Sequence, residues 1–215
     1  MRTSGRRSIK TGTRSAAGGA TGRAAGGTAD EVAPRAARRT RGSKAARAIR
    51  DTHNPQVSQL RLSVQHAVTA DGLPVAATLR RWLSRALASD VKVATIVLRF
   101  VGSSEGRRLN RDFRARDYAT NVLTFVYDRP AASGENALAG DIVLCVPVLK
   151  REARALGRSL RAHCAHLVIH GALHLQGYDH ESDKDARVME ALETELLASF
   201  GYRDPYEIQE NRQDI

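Results

Sequence analysis

Three histidines and one glycine, spaced H-x-x-x-H-x-x-G-x-x-H, constrain this chain more than any other feature of its sequence. They are His170, His174, Gly177 and His180, within the stretch HLVIHGALHLQGYDHESD of residues 166–183. On a helix, residues four apart lie about 40° apart around the axis, so His170 and His174 point the same way. Gly177 permits the left-handed conformation that ends a helix and turns the chain back, which lets His180 bring a third imidazole to the first two.

Three imidazoles grouped in this way are typical of a catalytic zinc site, in which one coordination position stays open. The spacing is that of the metzincin proteases, which have a glutamate directly after the first histidine as general base. This chain has Gly171 at that position. The pattern therefore predicts a metal site and argues against metalloproteolysis. A single histidine on an apolar helix is more often a hydrogen-bonded core residue, which is our interpretation of His163.

Two residues near the histidines are further candidates for the site. His166 lies one turn before His170, and we expect it to support a ligand or to pack in the core, with a fourth ligand as the alternative. Asp179 precedes His180 and either orients an imidazole through its free N–H or is simply an acid in a turn. Neither residue changes the predicted ligand set.

Charge is distributed unevenly along the chain. Residues 1–50 contain 13 of the 34 basic residues and only two of the 23 acidic ones, so they account for the whole net charge of +11. They contain no Phe, Trp or Tyr, and so cannot bury enough apolar surface to offset the entropy of ordering. We therefore expect residues 1–54 to be a disordered basic extension. It could serve as a polyanion-binding arm or an organellar transit peptide, or be dispensable.

Residues 55–207 alternate between strand-like and helix-like patterns. Strands are predicted at residues 60–64, 91–102, 120–127 and 141–146, and the second of these (VKVATIVLRFVG) is apolar enough to be covered on both faces. Helices are predicted after Pro74, after Ser103 or Ser104, from Pro147 to about Gly157, from about residue 160 to 176, and after a capping box of Ser182 and Asp185.

These elements predict a single compact α/β (α+β) domain, with a short mixed sheet packed by helices and a zincin-like histidine-bearing helix. Residues 208–215 would form a short C-terminal tail. No stretch approaches the ~20 apolar residues of a membrane span. We expect a cytoplasmic protein without membrane partners, with organellar targeting by the extension as the alternative.

Four blocks of this sequence, in order, resemble the YbeY family of rRNA maturation endoribonucleases. They are LNRDFRARDYATNVLTF (109–125), GDIVLC (140–145), HGALHLQGYDH (170–180) and MEALETELLASFGYRDPY (189–206). The resemblance covers residues 57–206. It implies an α/β domain with one Zn²⁺ per chain held by His170, His174 and His180, and a functional arginine at Arg114. Phe113 departs from the tyrosine common in that family, and LTFVYD replaces its usual LSFPFE.

The same resemblance implies single-strand-specific cleavage of ribosomal RNA, especially at the 3′ end of small-subunit rRNA, and a part in ribosome quality control. The implied partners are ribosomal RNA, the small ribosomal subunit, one of its proteins and an Era-type GTPase. The residues are compatible with an RNA substrate. Arg114 lies in the basic stretch RRLNRDFRAR and could clamp a phosphate, although most of these arginines could equally form a solvated face. Phe113, Tyr118 and Tyr178 are the aromatic candidates for base stacking.

We therefore predict a zinc-dependent endoribonuclease of ribosome biogenesis. Two alternatives remain open from the sequence. A metal hydrolase of another bond is disfavoured by Gly171 in place of a base. A non-catalytic assembly factor with a structural metal is disfavoured by three ligands where structural zinc normally has four.

Overall fold

The computed structural model describes residues 7–11, 59–69, 71–127 and 136–207. One mixed sheet has the strand order β1-β4-β5-β3-β2. Strands β2, β3 and β5 are mutually parallel, while β4 runs antiparallel to β5. The bounds are β1 Arg7–Thr11, β2 Gln59–His66, β3 Val93–Val101, β4 Val122–Tyr127 and β5 Ala137–Cys145.

Five helices pack around this sheet in the described part of the chain. They are α1 Ala76–Ala86, α2 Ser103–Arg114, α3 Val146–Ala155, α4 Leu160–Leu175 and α5 Asp183–Ala198. The predicted α/β class and the mixed sheet are confirmed. Within the described ranges, no helix is both long enough and apolar enough to cross a bilayer.

The outer strand of the sheet comes from the N-terminal extension. The backbone of β1 pairs antiparallel with β4, and Ile9 lies opposite Phe125 in the register. The sequence predicts disorder for residues 1–54, and the structure differs at these five residues. Pairing satisfies backbone groups that β4 would otherwise leave open along its edge. The other residues of the extension, and the predicted tail at 208–215, lie outside the described residues.

Strand β3 has one fully covered face and one that is partly open. The covered face packs into the main core with residues of α1 and α4, and consists of Ala94, Ile96, Leu98 and Phe100. On the other face Thr95 is exposed and Arg99 is half-buried. The prediction that both faces are covered is therefore wrong. On this partly open face the guanidinium of Arg99 is satisfied by two hydrogen bonds to the carboxylate of Glu105 in α2.

Helix α4 is apolar on all sides because it lies in the centre of the domain. It packs against β4 and β5 of the sheet and against helices α1, α3 and α5. It packs tightly against the sheet at Gly171, where an added Cβ would lie only 3.0 Å from Ile142. Any side chain at position 171 would therefore press on Ile142 of β5, which would have to shift to accept it.

A serine cap marks the first turn of each of the two helices α4 and α5. Ser159 caps α4 by accepting a hydrogen bond from the backbone N–H of Ala162 at 3.1 Å. Ser182 caps α5 in the same way through Asp185, which confirms the predicted capping pair. These caps set the start of each helix, and therefore which residues of α4 and α5 face each other.

Candidate metal centre

The end of α4 brings the third histidine of the motif back toward the other two. Gly177 has a φ of +93°, the left-handed conformation predicted for it. The backbone N–H of Gly177 donates to His174 and that of Tyr178 donates to Leu173, which is the hydrogen-bond pattern of a Schellman motif. The chain reverses at this point, and the ring of His180 lies 5.5 Å from that of His170 and 5.1 Å from that of His174.

One nitrogen from each of His170, His174 and His180 lies within 4.8 Å of the others. The first two are buried, and His180 is half-buried, so the group opens to solvent on the His180 side. The Nε2 atoms of His170 and His174 are only 3.0 Å apart. The structure thus brings together the three residues that the sequence selects as ligands.

Hydrogen bonds on the far side of the two buried rings fix which nitrogen of each carries a lone pair. His170 Nδ1 is 2.7 Å from the carboxylate of Glu193, and His174 Nδ1 is 3.0 Å from the carbonyl oxygen of Tyr178. Both oxygens are acceptors, so each Nδ1 donates a proton, and in the neutral form of each ring the lone pair then lies on Nε2. Burial is the main cause that lowers the pKa of His174 to about 3, so this ring is neutral at pH 7.

In the neutral form of both rings the two Nε2 atoms are acceptors, and at 3.0 Å a proton or a cation between them would relieve their repulsion. His170, His174 and His180 would each offer one nitrogen to a metal ion held between them. Neutral imidazoles are also the form in which histidine binds metal. The residues therefore fit a bound divalent cation.

Glu193 of α5 supports this arrangement and is missing from the residues that the sequence singles out. Its side chain is completely buried and contacts His166, His170 and Tyr206. Burial alone would raise the pKa of this carboxyl, but hydrogen bonds from His166 and His170 outweigh it and hold the pKa far below its usual range.

One signal in the sequence could have pointed to Glu193. It is an acid in line with Met189 and Leu197 at four-residue spacing, which puts it on the buried stripe of an amphipathic helix. Charged residues are rarely buried without partners, so an acid at such a position indicates a buried partner on a neighbouring element.

The other candidates near the histidines take different positions. His166 is buried and its Nε2 lies 3.1 Å from Glu193, so it contacts the carboxylate that holds His170. The carboxylate of Asp179 accepts a hydrogen bond from the backbone N–H of His180 at 2.8 Å. Tyr178 contributes its carbonyl oxygen to His174, and its side chain packs against the core.

Arg114 is the last residue of α2, where Ala115 ends the helix in a left-handed conformation. Its Nε and Nη2 atoms are buried and have no hydrogen-bond partner among the described residues. Burial lowers the pKa of this guanidinium, while the charge of Asp179 opposes that effect. Asp179, in the loop that leads to His180, is close enough for its charge to act on Arg114.

Most other side chains of the basic stretch are exposed. Arg107 pairs with Asp117 through two hydrogen bonds of 2.8 and 2.5 Å, and both groups lie mainly in solvent. Of the aromatic candidates, Tyr118 is 52% exposed and Phe113 is 38% exposed. The ring of Phe113 also packs edge-on against Phe125 at 5.1 Å.

His163 belongs to a separate cluster, as its interpretation as a core residue predicts. Its Nε2 lies 3.0 Å from Glu152, which also accepts a hydrogen bond from Asn121. Burial would raise the pKa of Glu152, but these two hydrogen bonds lower it overall. His163 thus ties α3 to α4 and to the start of β4.

Comparison with known proteins gives a consistent result. Residues 65–201 match the family described as "Endoribonuclease YbeY". The Endoribonuclease YbeY of Aromatoleum aromaticum is 54% identical over 152 residues, which cover 69% of this chain and 94% of that protein. The protein of the same name from Nitrosospira multiformis is 52% identical over 162 residues, which cover 71% of this chain and 84% of that protein.

Proposed function

The chain belongs to the YbeY endoribonuclease family, and we propose that it cleaves RNA at a metal ion held by His170, His174 and His180. One observation carries the metal assignment. The Nε2 atoms of His170 and His174 lie 3.0 Å apart with a nitrogen of His180 nearby, and a partner behind each buried ring at Nδ1 directs its Nε2 into the shared space. We further propose one Zn²⁺ per chain, because three histidine ligands beside an open side are typical of catalytic zinc.

The bound ion would supply Lewis-acid polarisation of a phosphoryl oxygen. The protein residues hold the imidazoles in place. His170 and His174 are anchored through their Nδ1 atoms, and the Gly177 turn fixes the approach of His180. Because the ligands are held before the ion arrives, little reorganisation is needed on binding.

Arg114 is proposed as the catalytic residue that clamps the phosphate. Its two buried nitrogens have no protein partner among the described residues, and its charge lies beside the loop of Asp179. A buried donor without a partner is costly, so a phosphate that accepts from two parallel N–H groups would relieve that cost. In this proposal Arg114 neutralises charge on the scissile phosphate while the histidines hold the ion.

The proposed substrate is single-stranded ribosomal RNA, with the 3′ end of the small-subunit rRNA as the target and ribosome quality control as the context. Support comes from Tyr118, whose hydroxyl oxygen accepts a hydrogen bond from Arg116 and whose exposed ring offers a stacking face. Tyr178 and Asp179 are proposed as further contacts at the edge of the site, and His166 as a support of the ligands. The small subunit, one of its proteins and an Era-type GTPase are the proposed partners, in the cytoplasm.

A metal hydrolase of another bond has less support. The residue after the first histidine is Gly171, which has no side chain to act as the glutamate base of a metzincin, and its Cβ position already lies against Ile142. A purely structural metal also has less support, because the described ligand set has three members and opens to solvent at His180.

The test is cleavage of a structured RNA that carries a single-stranded 3′ end of small-subunit rRNA. Purified protein should bind one zinc and cut the single-stranded region, and end-group analysis should place each cut at a phosphodiester bond. His174→Ala should lose both zinc and cleavage. A His174→Ala variant that still cuts at the wild-type rate would overturn the metal mechanism.

A further inference from the structure

We propose that Glu193 and Tyr206 are positioning residues that hold His170 in the form required to bind the metal. The inference rests on the metal site proposed above, and extends it to two residues from outside the histidine motif. The observation is a direct chain of contacts. Tyr206 Oη meets Glu193 Oε2, and Glu193 Oε1 meets His170 Nδ1 at 2.7 Å.

Three donors converge on the Glu193 carboxylate. The N–H groups of His166 and His170 donate to its two oxygens, at 3.1 and 2.7 Å, and the hydroxyl of Tyr206 donates to Oε2. A fully buried carboxylate is tolerated only when such donors replace the water it has lost. The network is therefore mutually dependent, because each donor is also held in place by the carboxylate.

The effect on His170 is specific. A carboxylate at Nδ1 keeps the proton on that nitrogen, leaves the lone pair on Nε2, and makes the ring a stronger electron donor to a cation. Nε2 is the atom that faces His174 at 3.0 Å. Glu193 therefore acts on the metal through His170 without touching the ion.

Tyr206 is itself held by the turn that follows α5. The carbonyl of Pro205 accepts a hydrogen bond from Arg158 at 2.6 Å, and the carboxylate of Asp204 accepts from Thr194 and from the backbone N–H of Tyr206. The ring of Tyr206 packs edge-on against His166 at 5.7 Å. The turn after α5 thus places the Tyr206 hydroxyl where it donates to the Glu193 carboxylate.

A second cation at His166, His170 and Glu193 is the alternative explanation, since one ligand atom from each also lies within 4.8 Å of the others. The contact of Tyr206 argues against it. Three donor hydrogens already point at the carboxylate, and a cation in the same place would face them directly. Metal stoichiometry decides between the two, because a second site would raise it to about two ions per chain.

The main experiment measures zinc affinity of the full chain by competition with a chelator, for wild type and Glu193→Gln. Glutamine keeps the shape of the side chain but removes its charge. Zinc affinity should fall by about 10- to 100-fold, the usual cost of losing a partner behind a metal-bound histidine. Glu195→Gln is the matched control, because it removes the same charge from an exposed position of the same helix and should leave affinity unchanged.

Tyr206→Phe tests the second step of the chain. The ring stays and only the hydroxyl is lost, so zinc affinity should fall by less, at most roughly 10-fold. Tyr202→Phe is its control, since the Tyr202 hydroxyl contacts Arg161 away from the histidines. In a Glu193→Gln background, Tyr206→Phe should cause no further loss, because Tyr206 acts only through Glu193.

Metal-free protein provides a readout that does not depend on zinc. In ¹⁵N spectra of the histidine side chains at mildly alkaline pH, His170 should carry its proton on Nδ1 in wild type, and this preference should weaken in Glu193→Gln. Wild-type protein with this preference but without zinc affinity would sink the proposed metal function and leave the positioning role intact. Unchanged zinc affinity and an unchanged tautomer in Glu193→Gln, or loss of one of two bound ions, would overturn the positioning role.

Discussion

Helices α2 and α4 each concentrate one kind of side chain, arginine in α2 and histidine in α4, but they use it in opposite ways. In α2, the side chains of Arg107 and Arg111 are more than half exposed and pair with Asp117 in solvent. In α4, all four histidines are at most 6% exposed, and three of them have a carboxylate partner. The arginines line a surface, whereas the histidines are built into the core.

Each helix also contains one residue whose environment differs from that of its neighbours. It is Arg114 in α2 and His163 in α4. Arg114 is the arginine of α2 that has buried nitrogens without a protein partner. His163 is the histidine of α4 whose carboxylate partner is Glu152, and its ring meets the site only edge-on through His166 at 6.1 Å. The number of like residues in a run therefore says little about function. Burial, and the partner each side chain finds, say much more.

The largest effect is expected at a metal ligand. His174→Ala removes one of three proposed ligands, and zinc affinity should fall well beyond the roughly 100-fold typical of outer partners. His163→Ala is the matched change, since it removes the same side chain from the same helix. It should cost stability, because Glu152 and Asn121 lose a buried partner, but zinc should remain at one per chain. Metal analysis of both proteins, with thermal unfolding, checks the pair.

If both variants lost zinc equally, the distinction drawn between the two histidines would be wrong, and α4 would have to be treated as one undivided cluster. If neither lost zinc, the ligand set itself would be wrong.

The next effect concerns the exception in α2. Arg114→Ala should leave zinc content and folding unchanged but slow RNA cleavage by roughly 100-fold or more, since a charge-assisted contact to the reacting phosphate is lost. Arg108→Ala removes an exposed arginine of the same helix, and should change the rate only slightly. Arg114→Lys should recover only part of the rate, because a point charge cannot replace two parallel donors. Equal rates for the Arg114→Ala and Arg108→Ala proteins would mean that α2 acts as a uniform basic surface.

Much of this contrast could be predicted from the sequence. The i, i+4 spacing of His170 and His174 and the turn at Gly177 are local features, and local geometry is enough to bring His180 back. The helix predicted at residues 160–176 and the cap at Ser182 could also be predicted, because both depend on residues close in the sequence. Four arginines in one short helix cannot all be buried, so the exposure of most of them could also be predicted.

The partners of these residues could not be predicted, because they come from elements distant in the chain. Glu193 reaches His170 from α5, and Tyr206 reaches Glu193 from the turn after that helix. The pairing of β1 with β4 depends on an edge that exists only once the sheet has formed. Arg114 could be selected by family resemblance, but its burial beside the loop of Asp179 is a tertiary feature.

A smaller effect is expected where α4 meets the sheet. Gly171→Ala adds a Cβ 3.0 Å from Ile142, so the core must shift to accept it. Overpacking typically costs about 1–3 kcal/mol, and the better helix propensity of alanine offsets up to about 1 kcal/mol of that. Urea unfolding should therefore show a modest net loss with zinc binding retained. Gly171→Ala combined with Ile142→Val should recover stability, and failure to do so would show that the contact with Ile142 is not the cause.

The smallest effect is expected at Glu152, the partner of His163 outside the proposed metal site. Glu152→Gln keeps a side chain that can hydrogen-bond to His163 and Asn121 but removes its charge, so near pH 7 unfolding should cost about 1 kcal/mol less than in wild type. The folded state lowers the pKa of Glu152 below its ordinary value of 4.5, so its charged form contributes stability above that pH. This contribution disappears as the pH falls through the lowered value, where a protonated glutamic acid resembles glutamine.

The difference between wild type and Glu152→Gln should therefore shrink in urea titrations below pH 4.5, while Glu195→Gln should match wild type at every pH. A constant difference across that range would mean that Glu152 contributes through its shape and not its charge, and that α3 and α4 are joined by packing alone.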